Sequence, residues 1–257
     1  RQMIYRIIRK GEVRVNKGRV KQTYRLKFGD EIRVPPVRLP QEIPIEVGAE
    51  MHGAIESSII FEDERLICFN KPSGLAVHGG SSLPYGLIEA LRLGRDNDKL
   101  ELAHRIDRDT SGCLVVCKNV STLKLVQEAF RDRQISKIYH LFVAGSWQSK
   151  NRSIQKSLMR YKTSWGERRV KIDIKGQNAR TDFRVLERVE HASKLEAVLH
   201  TGRTHQIRVH SKHCGNPIIG DKKYGNHEGN ASRLCLHASR ISFSVAGTNY
   251  KFGADFG

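Results

Sequence analysis

Apolar and polar positions change period several times over the first 36 residues. Met3, Ile4, Ile7 and Ile8 recur at helical spacing, and Gly11 is placed to end that helix in the left-handed region. Val13 and Val15 then alternate with charges up to a turn signal at Asn16-Lys17-Gly18. Tyr24, Leu26 and Phe28 alternate up to Gly29-Asp30, and Ile32 and Val34 up to Pro35-Pro36. The pattern predicts one short helix and small strands. A larger unit starts near Ile59. Its first strand ends at Leu66 to Phe69, and Asn70 to Gly74 form a turn that Pro72 and Gly74 enforce. A Gly- and Ser-rich loop, 78–82, precedes a helix carrying Leu87, Ile88 and Leu91, which Gly94 stops. Cys113 to Cys117 is a continuous apolar run of the kind that forms a buried strand. Ser121 is placed to cap a helix reaching Arg133, with Leu123, Val126 and Phe130 on its apolar face. Ile135 to Gly145 reads as a long strand with Lys137, Tyr139, Leu141 and Val143 on one face. Strands follow at Thr181 to Val189 and Lys194 to His200. A helix capped by Thr204 runs to Cys214 with Gly215 as its stop. Closing strands are expected at Leu234 to His237, Arg240 to Val245 and Tyr250 to Phe252.

Charge changes the picture. The 257 residues carry 45 Lys and Arg against 27 Asp and Glu, a net charge of +18, which makes a polyanion the default partner. A merely soluble basic protein is the plainer reading. Residues 1–40 hold 12 of the cations and 3 acids, the footprint of a phosphate-binding module. Residues 41–57 hold Glu42, Glu46, Glu50 and Glu56 with no Lys or Arg, a linker composition. Residues 148–178 are polar, basic and poorly periodic: an exposed hairpin region that could lie along RNA, or equally a solvated charged face. No run reaches the roughly 18 residues of a membrane span, and no signal peptide is present. The chain starts at Arg1 rather than Met, so further N-terminal residues are expected. The five cysteines are odd in number and mostly inside apolar runs, which suits reduced, buried thiols in a cytoplasmic protein.

The chemistry is found by elimination only in part. No G-x-x-x-x-G-K-[ST] loop occurs, no G-x-G-x-x-G follows a strand, and G-x-S-x-G is absent. His205 and His210 are five apart, not the four that would align two metal ligands on a helix. What remains is H-R-I-D-R-D-T-S-G at 104–112, a polar cluster feeding the Cys113 strand. Asp107 and Asp109 are equal candidates here, and a charged surface turn is an equal reading of the whole stretch. An aspartate can serve as nucleophile or general base if it stays charged, which a nearby arginine would favour. Arg105, Arg108, Arg203 and Arg208 are the candidates for that arginine. Tyr139 and Tyr224 could stack on an extruded base.

The nine-residue stretch resembles the signature H-R-L-D-x-x-T-S-G of the RluA family of pseudouridine synthases. N-K-P-S-G at 70–74, K-I-Y at 137–139, G-R-T-H-Q-I-R-V-H at 202–210 and G-N-P-I-I-G-D-K-K-Y-G at 215–225 follow the same family in order. Residues 9–16, R-K-G-E-V-R-V-N, resemble the αL RNA-binding domain of S4 type, whose first helix would lie upstream of Arg1. The resemblance implies an α+β pseudouridine synthase fold with a mixed, mainly antiparallel sheet over residues 58–257. It also implies a partial S4-type module over 1–40, joined to the fold by the acidic linker 41–57. It implies isomerisation of uridines in large-subunit ribosomal RNA by a cytoplasmic, monomeric enzyme with no cofactor, metal or membrane association. By position Asp107 matches the catalytic aspartate, Tyr139 the tyrosine that packs against uracil, Arg208 the arginine that pairs with the aspartate, and Arg105 the signature arginine. Lys71, His104, Arg203, His205 and Tyr224 fall in the same blocks as expected substrate or RNA contacts. Arg6, Arg9, Lys10, Arg14, Lys17 and Arg19 are the expected RNA contacts of the N-terminal module. Asp109 falls where the family pattern fixes nothing and reads as a loop cap. A non-catalytic RNA-binding or ribosome-assembly protein with the same fold is the second reading; it need not keep Asp107, Tyr139 and Arg208 together.

Overall fold

A computed structural model of the chain describes residues 2–36, 48–80, 85–148, 151–225 and 231–256. It divides into two compact units, Arg1–Ile45 and Glu46–Gly257. In the first, helix α1 (Gln2–Arg9) ends as predicted, with Gly11 at a φ of 70°. Strands β1 (Arg14–Val15) and β2 (Gly18–Arg19) are joined by Asn16 and Lys17, whose φ values of 50° and 65° suit the tight hairpin that matches strand twist. Strand β3 (Ile32–Arg33) pairs with the other edge of β1. Ile7 and Val15 are buried, whereas Ile4 is exposed. Arg6, Arg9, Lys10, Lys17 and Arg19 are all exposed, and Arg14 is half-buried.

The second unit begins with helix α2 (Ala49–Ser57), strands β4 (Ile59–Glu62) and β5 (Leu66–Lys71) and helix α3 (Leu87–Gly94). Strands β6 (Glu101–Leu102) and β7 (Ser111–Cys117), helix α4 (Val120–Arg131) and strand β8 (Ser136–Ala144) follow. Next come β9 (Asn151–Gln155), the hairpin β10 (Leu158–Lys162) and β11 (Arg168–Ile172), β12 (Arg180–Val189) and β13 (Ala192–Leu199). Helix α5 (Gln206–His213) and strands β14 (Leu236–Val245) and β15 (Thr248–Gly253) close the chain. Ten strands form one mixed sheet, ordered β4-β5-β7-β14-β8-β13-β12-β9, with β15 on β14 and β6 on β7. The β10–β11 hairpin is a separate two-stranded sheet. Among the described strands only β7 and β14 pair in parallel, so the sheet is mainly antiparallel.

The centre of the sheet is covered on both faces, which explains the unbroken apolar run of β7. Leu114 and Val116 face α2, α3 and the larger core; Cys113, Val115 and Cys117 face α4, β14 and β15. All seven residues of β7 are buried. Gly112 has a φ of 106°, and a Cβ there would stand 2.3 Å from the Ala238 carbonyl oxygen, so glycine is what allows β14 to pair at this point. Ser111 beside it is hydrogen-bonded to buried His237 at 2.8 Å. The T-S-G of the signature is therefore the join between two core strands.

Several boundaries differ from the periodicity reading. The α4 cap is Asn119, not Ser121: Asn119 is extended, and its side chain accepts from the Thr122 N–H at 2.8 Å. Ser121 instead lies in the first turn and donates to Asn119. At α5 the cap position is His205, because the Thr204 hydroxyl accepts from Arg160 at 2.7 Å. The first two of the three expected closing strands are one, β14, with an irregularity between His237 and Arg240. The expected linker is helical from 49 to 57: Met51 and Ile55, four apart, turn toward the main core, while Glu56 binds Arg95 at 2.8 and 2.7 Å. Residues 41–47 of that linker, and 81–82 of the Gly- and Ser-rich loop, lie outside the described residues. All five cysteines are free thiols, three of them buried. Among the described residues no helix is long and apolar enough to cross a membrane.

Candidate active site

The signature loop leaves β6, crosses the end of the sheet and enters β7. Its backbone is tied to the turn after β5. Lys71 is fully buried and donates from Nζ to the carbonyls of Pro72, Leu75 and Arg108 at 2.7, 2.8 and 3.0 Å. The Gly74 N–H also donates to the Arg108 carbonyl, and the Ser73 hydroxyl donates to that of Asp109 at 2.6 Å. Burial lowers the Lys71 pKa to about 7 against the pull of Asp109 and Asp107. Three carbonyls match the three protons of an ammonium group. With the backbone pinned, the two acids separate. Asp109 accepts from Arg108 at 3.0 Å at the surface. Asp107 turns inward, its side chain 32% exposed, and its carboxylate forms no direct hydrogen bond among the described residues.

Below Asp107 lies a buried polar floor built from α5 and the 215–225 block. Arg208 forms a two-pronged pair with Asp221, at 2.8 and 2.7 Å, with side-chain exposures of 3% and 0%. Asp221 also accepts the Lys223 and Tyr224 N–H groups at 2.9 and 3.0 Å. Burial alone would raise the Asp221 carboxyl and lower the Arg208 guanidinium; the pair reverses both, holding Asp221 below and Arg208 above its ordinary range. The remaining Arg208 nitrogen, Nη1, stands 4.0 Å from Asp107. The guanidinium also lies over the Tyr224 ring at 5.1 Å.

His205 completes the floor. It holds a left-handed φ of 52°, a conformation kept only where the surroundings enforce it. The Tyr224 hydroxyl accepts the Val170 N–H at 2.9 Å and lies 2.7 Å from His205 Nδ1. In the tautomer in which the hydroxyl donates to Nδ1, the ring proton sits on Nε2, which faces Asp107 at 3.9 Å. Burial keeps the His205 pKa below its ordinary value, with Asp107 opposing, so the ring is neutral near pH 7.

Above the floor is a cavity of about 840 Å³, lined among others by Arg105, Asp107, Tyr139, His205 and Arg208, and walled by the β10–β11 hairpin. Tyr139 comes from β8, on the face it shares with Leu141 and Val143, as its strand period requires. Burial, and then the charge of Asp107, raise its pKa, so it is a neutral phenol at any physiological pH. A second cleft of about 1250 Å³ shares Arg105, Tyr139 and Arg203 with the first and continues past Lys137 and Arg180. The arrangement offers one unencumbered carboxylate, a flat neutral ring, a fixed cation behind the carboxylate and a basic rim.

Residues 65–213 match the family model for RNA pseudouridylate synthase, more than half of the chain. The chain belongs to the RNA pseudouridylate synthase family. Residues 1–32 match the S4 domain model. The chain is 47% identical over 256 residues to ribosomal large subunit pseudouridine synthase C of Yersinia pestis, covering 96% of this chain and 80% of that one. It is 44% identical to the protein of the same name in Escherichia coli K12, covering 96% and 81%. Among solved structures, human RNA pseudouridylate synthase domain containing 1 superposes with a TM-score of 0.67 at 25% identity, over 82% of this chain and 86% of that one. The expected α+β pseudouridine synthase fold is thus what the chain adopts.

The structure brings Arg105, Asp107, Tyr139, Arg203, His205 and Arg208 to one cavity. Three expected contacts fall elsewhere. Lys71 is occupied by three carbonyls behind the loop and does not reach the cavity. His104 lies on the wall of the second cleft, where it accepts the Val115 N–H at 3.1 Å and packs against Phe130; burial lowers its pKa to about 3, so it offers RNA no charge there. Tyr224 is buried beneath Arg208, so it braces the floor and cannot stack on a base. Asp221 escaped the sequence reading. The signal available was a lone acid following apolar Ile218-Ile219, in a chain with a buried arginine that needs a partner.

Proposed function

We propose that this protein isomerises uridine to pseudouridine in large-subunit ribosomal RNA, with Asp107 as the working carboxylate. The N1–C1′ bond breaks, the detached uracil turns, and C5 bonds to C1′ while the C5 proton leaves and N1 gains one. The reaction balances without an oxidant or an outside group donor. The observation that carries the assignment is the convergence, in a member of this family, of an unbonded Asp107 carboxylate with Tyr139 and Arg208 on one cavity. A pure RNA binder gains nothing from that combination. Tyr139 packs against the uracil and retains it while it is detached. Arg208, immobilised by Asp221, holds positive potential behind Asp107. Arg105 and Arg203 at the rim take the RNA backbone where the base is flipped inward. The near-full-length similarity to the large-subunit enzymes named above supports the substrate. Residues 1–40 serve as a separate RNA-gripping module, with residues 58–257 as the catalytic domain. Five free thiols suit a reducing cytoplasm.

The test replaces one atom. Asp107→Asn should bind large-subunit ribosomal RNA as the wild type does and form no pseudouridine, measured by base-resolution mapping of the RNA. Detectable turnover by Asp107→Asn would overturn the assignment.

A further inference from the structure

The β10–β11 hairpin stands apart from the main sheet and contributes Arg160, Tyr161, Lys162 and Arg168 to the cavity wall. Its tip is rigid. The Thr163 N–H donates to the Glu167 carbonyl and the Gly166 N–H to the Thr163 carbonyl, both at 2.9 Å, while the Glu167 N–H donates to the Thr163 hydroxyl at 3.0 Å. Gly166 takes the positive φ of 85° that closes the bend. The two central positions are Ser164 and Trp165. Turn positions of this kind favour Gly, Asn, Asp or Ser, for which the bend itself supplies a reason. Trp165 has neither that reason nor a packing one: it is 75% exposed. The chain has two tryptophans, and the other, Trp147, is 1% exposed in the core against Phe183.

A second observation concerns the charges beside the tip. Lys162 and Arg168 are direct cross-strand partners, a destabilising juxtaposition of like charges. Arg169 is answered by Glu167 at 2.7 Å and Lys171 by Asp173 at 3.2 Å, and Arg160 donates to the Thr204 hydroxyl at 2.7 Å. Among the described residues neither Lys162 nor Arg168 has an acidic partner within ion-pair distance. Two cations without an acidic partner flanking an exposed aromatic, on a hydrogen-bonded hairpin that walls the cavity, fit a strand that alternates phosphate and base.

We propose that Trp165 stacks on an unpaired base of the RNA flanking the target uridine, with Lys162 and Arg168 holding the adjacent phosphates. The inference rests on the proposed pseudouridine synthase activity and adds a recognition contact outside the reacting centre. Stacking tolerates any base, so it would hold the strand without dictating its sequence.

The intact chain is titrated with an oligouridylate of about ten nucleotides, within the usual length that one basic groove covers, and with a large-subunit ribosomal RNA transcript. With Trp147 buried, RNA should quench the emission of Trp165. Trp165→Phe should bind RNA like the wild type with that quenching gone. Trp165→Ala should raise Kd and KM about tenfold, within the range of base stacking on an aromatic. It should keep kcat at saturating RNA and leave the slope of log K against log salt unchanged, because no phosphate contact is lost. Unchanged affinity in Trp165→Ala, or quenching that survives in Trp165→Phe, overturns the stacking contact. Failure of the wild type to form pseudouridine in the transcript would instead overturn the proposed activity, and the quenching arm would still decide whether Trp165 meets RNA.

Discussion

The floor of the cavity and the hairpin over it both combine cations with an aromatic ring, under opposite conditions. On the floor, Arg208, Asp221, His205 and Tyr224 are largely removed from water, and each is engaged by another. On the hairpin, Lys162, Arg168 and Trp165 face solvent. Burial converts charge into geometry: a desolvated guanidinium survives only with a bidentate partner, and having one it cannot move. Exposure leaves charge available to a ligand, screened by salt and free to reorient. The floor therefore determines where Asp107 stands, and the hairpin determines what can approach it. Substitutions in the two regions should fail in different ways.

The largest effect is expected from Asp221→Asn. Breaking a buried pair from one side leaves Arg208 charged and uncompensated, which costs about 3–5 kcal/mol. Urea unfolding should show a loss of that order, and pseudouridine formation should fall because Arg208 no longer has a fixed position behind Asp107. The pH dependence has a definite sign. Asp221 has a depressed pKa in the folded protein. Its contribution is therefore complete above the unfolded carboxylate value of about 3.9 and is lost as pH falls through the lower folded value. Wild-type stability should drop in that acid window, and the Asp221→Asn variant should show less of the drop. A variant as stable as the wild type at pH 7 would show that the pair is not what holds the floor.

A smaller effect is expected one bond further out. Tyr224→Phe keeps the ring under Arg208 but removes the hydroxyl that accepts from Val170 and faces His205 Nδ1. Stability should fall by about 1 kcal/mol, the net worth of such a hydrogen bond. His205 would then be free to turn its Nε2 proton away from Asp107. If that proton orients the carboxylate, kcat should fall with KM nearly unchanged. A change confined to KM would mean that the hydroxyl serves the hairpin alone.

How much of this was legible in the sequence follows the same division. Element types were readable where one pattern dominated: the unbroken apolar run of β7, which is buried on both faces, and the alternation of β8, which dictates which face is buried. Caps were misread where two polar residues competed: Asn119 took the position expected of Ser121, and Thr204 was already bonded to Arg160 from a strand more than 40 residues away. The residues of the cavity could be carried over by position, because Asp107, Tyr139 and Arg208 lie in recognisable blocks. Their supports could not. Lys71 and His104 are polar residues in those blocks, which reads as contact with RNA; only the fold shows that Lys71 is desolvated and held by three carbonyls, and that His104 uses its acceptor on the Val115 N–H. Asp221 and Tyr224 show the same limit. Local sequence indicates that a charge or hydroxyl is present, and long-range packing decides whether it faces a ligand or a neighbour.

The smallest effect on the protein itself, and the sharpest contrast with the floor, is expected from Lys162→Gln combined with Arg168→Gln. Both side chains are at the surface and have no acidic partner among the described residues, so the melting temperature should be unchanged or slightly raised as the cross-strand repulsion disappears. Binding should weaken, and in a particular way. Each phosphate contact to single-stranded nucleic acid contributes about 0.7 to the slope of log K against log salt. The double variant should lose about 1.4 from that slope, so its deficit is greatest at low salt and shrinks as salt rises. Trp165→Ala gives the complementary result, a deficit constant across salt. If the double variant instead lowers affinity by the same factor at every salt concentration, Lys162 and Arg168 act on the shape of the hairpin and not on phosphate, and the distinction drawn between rim and floor fails at this point.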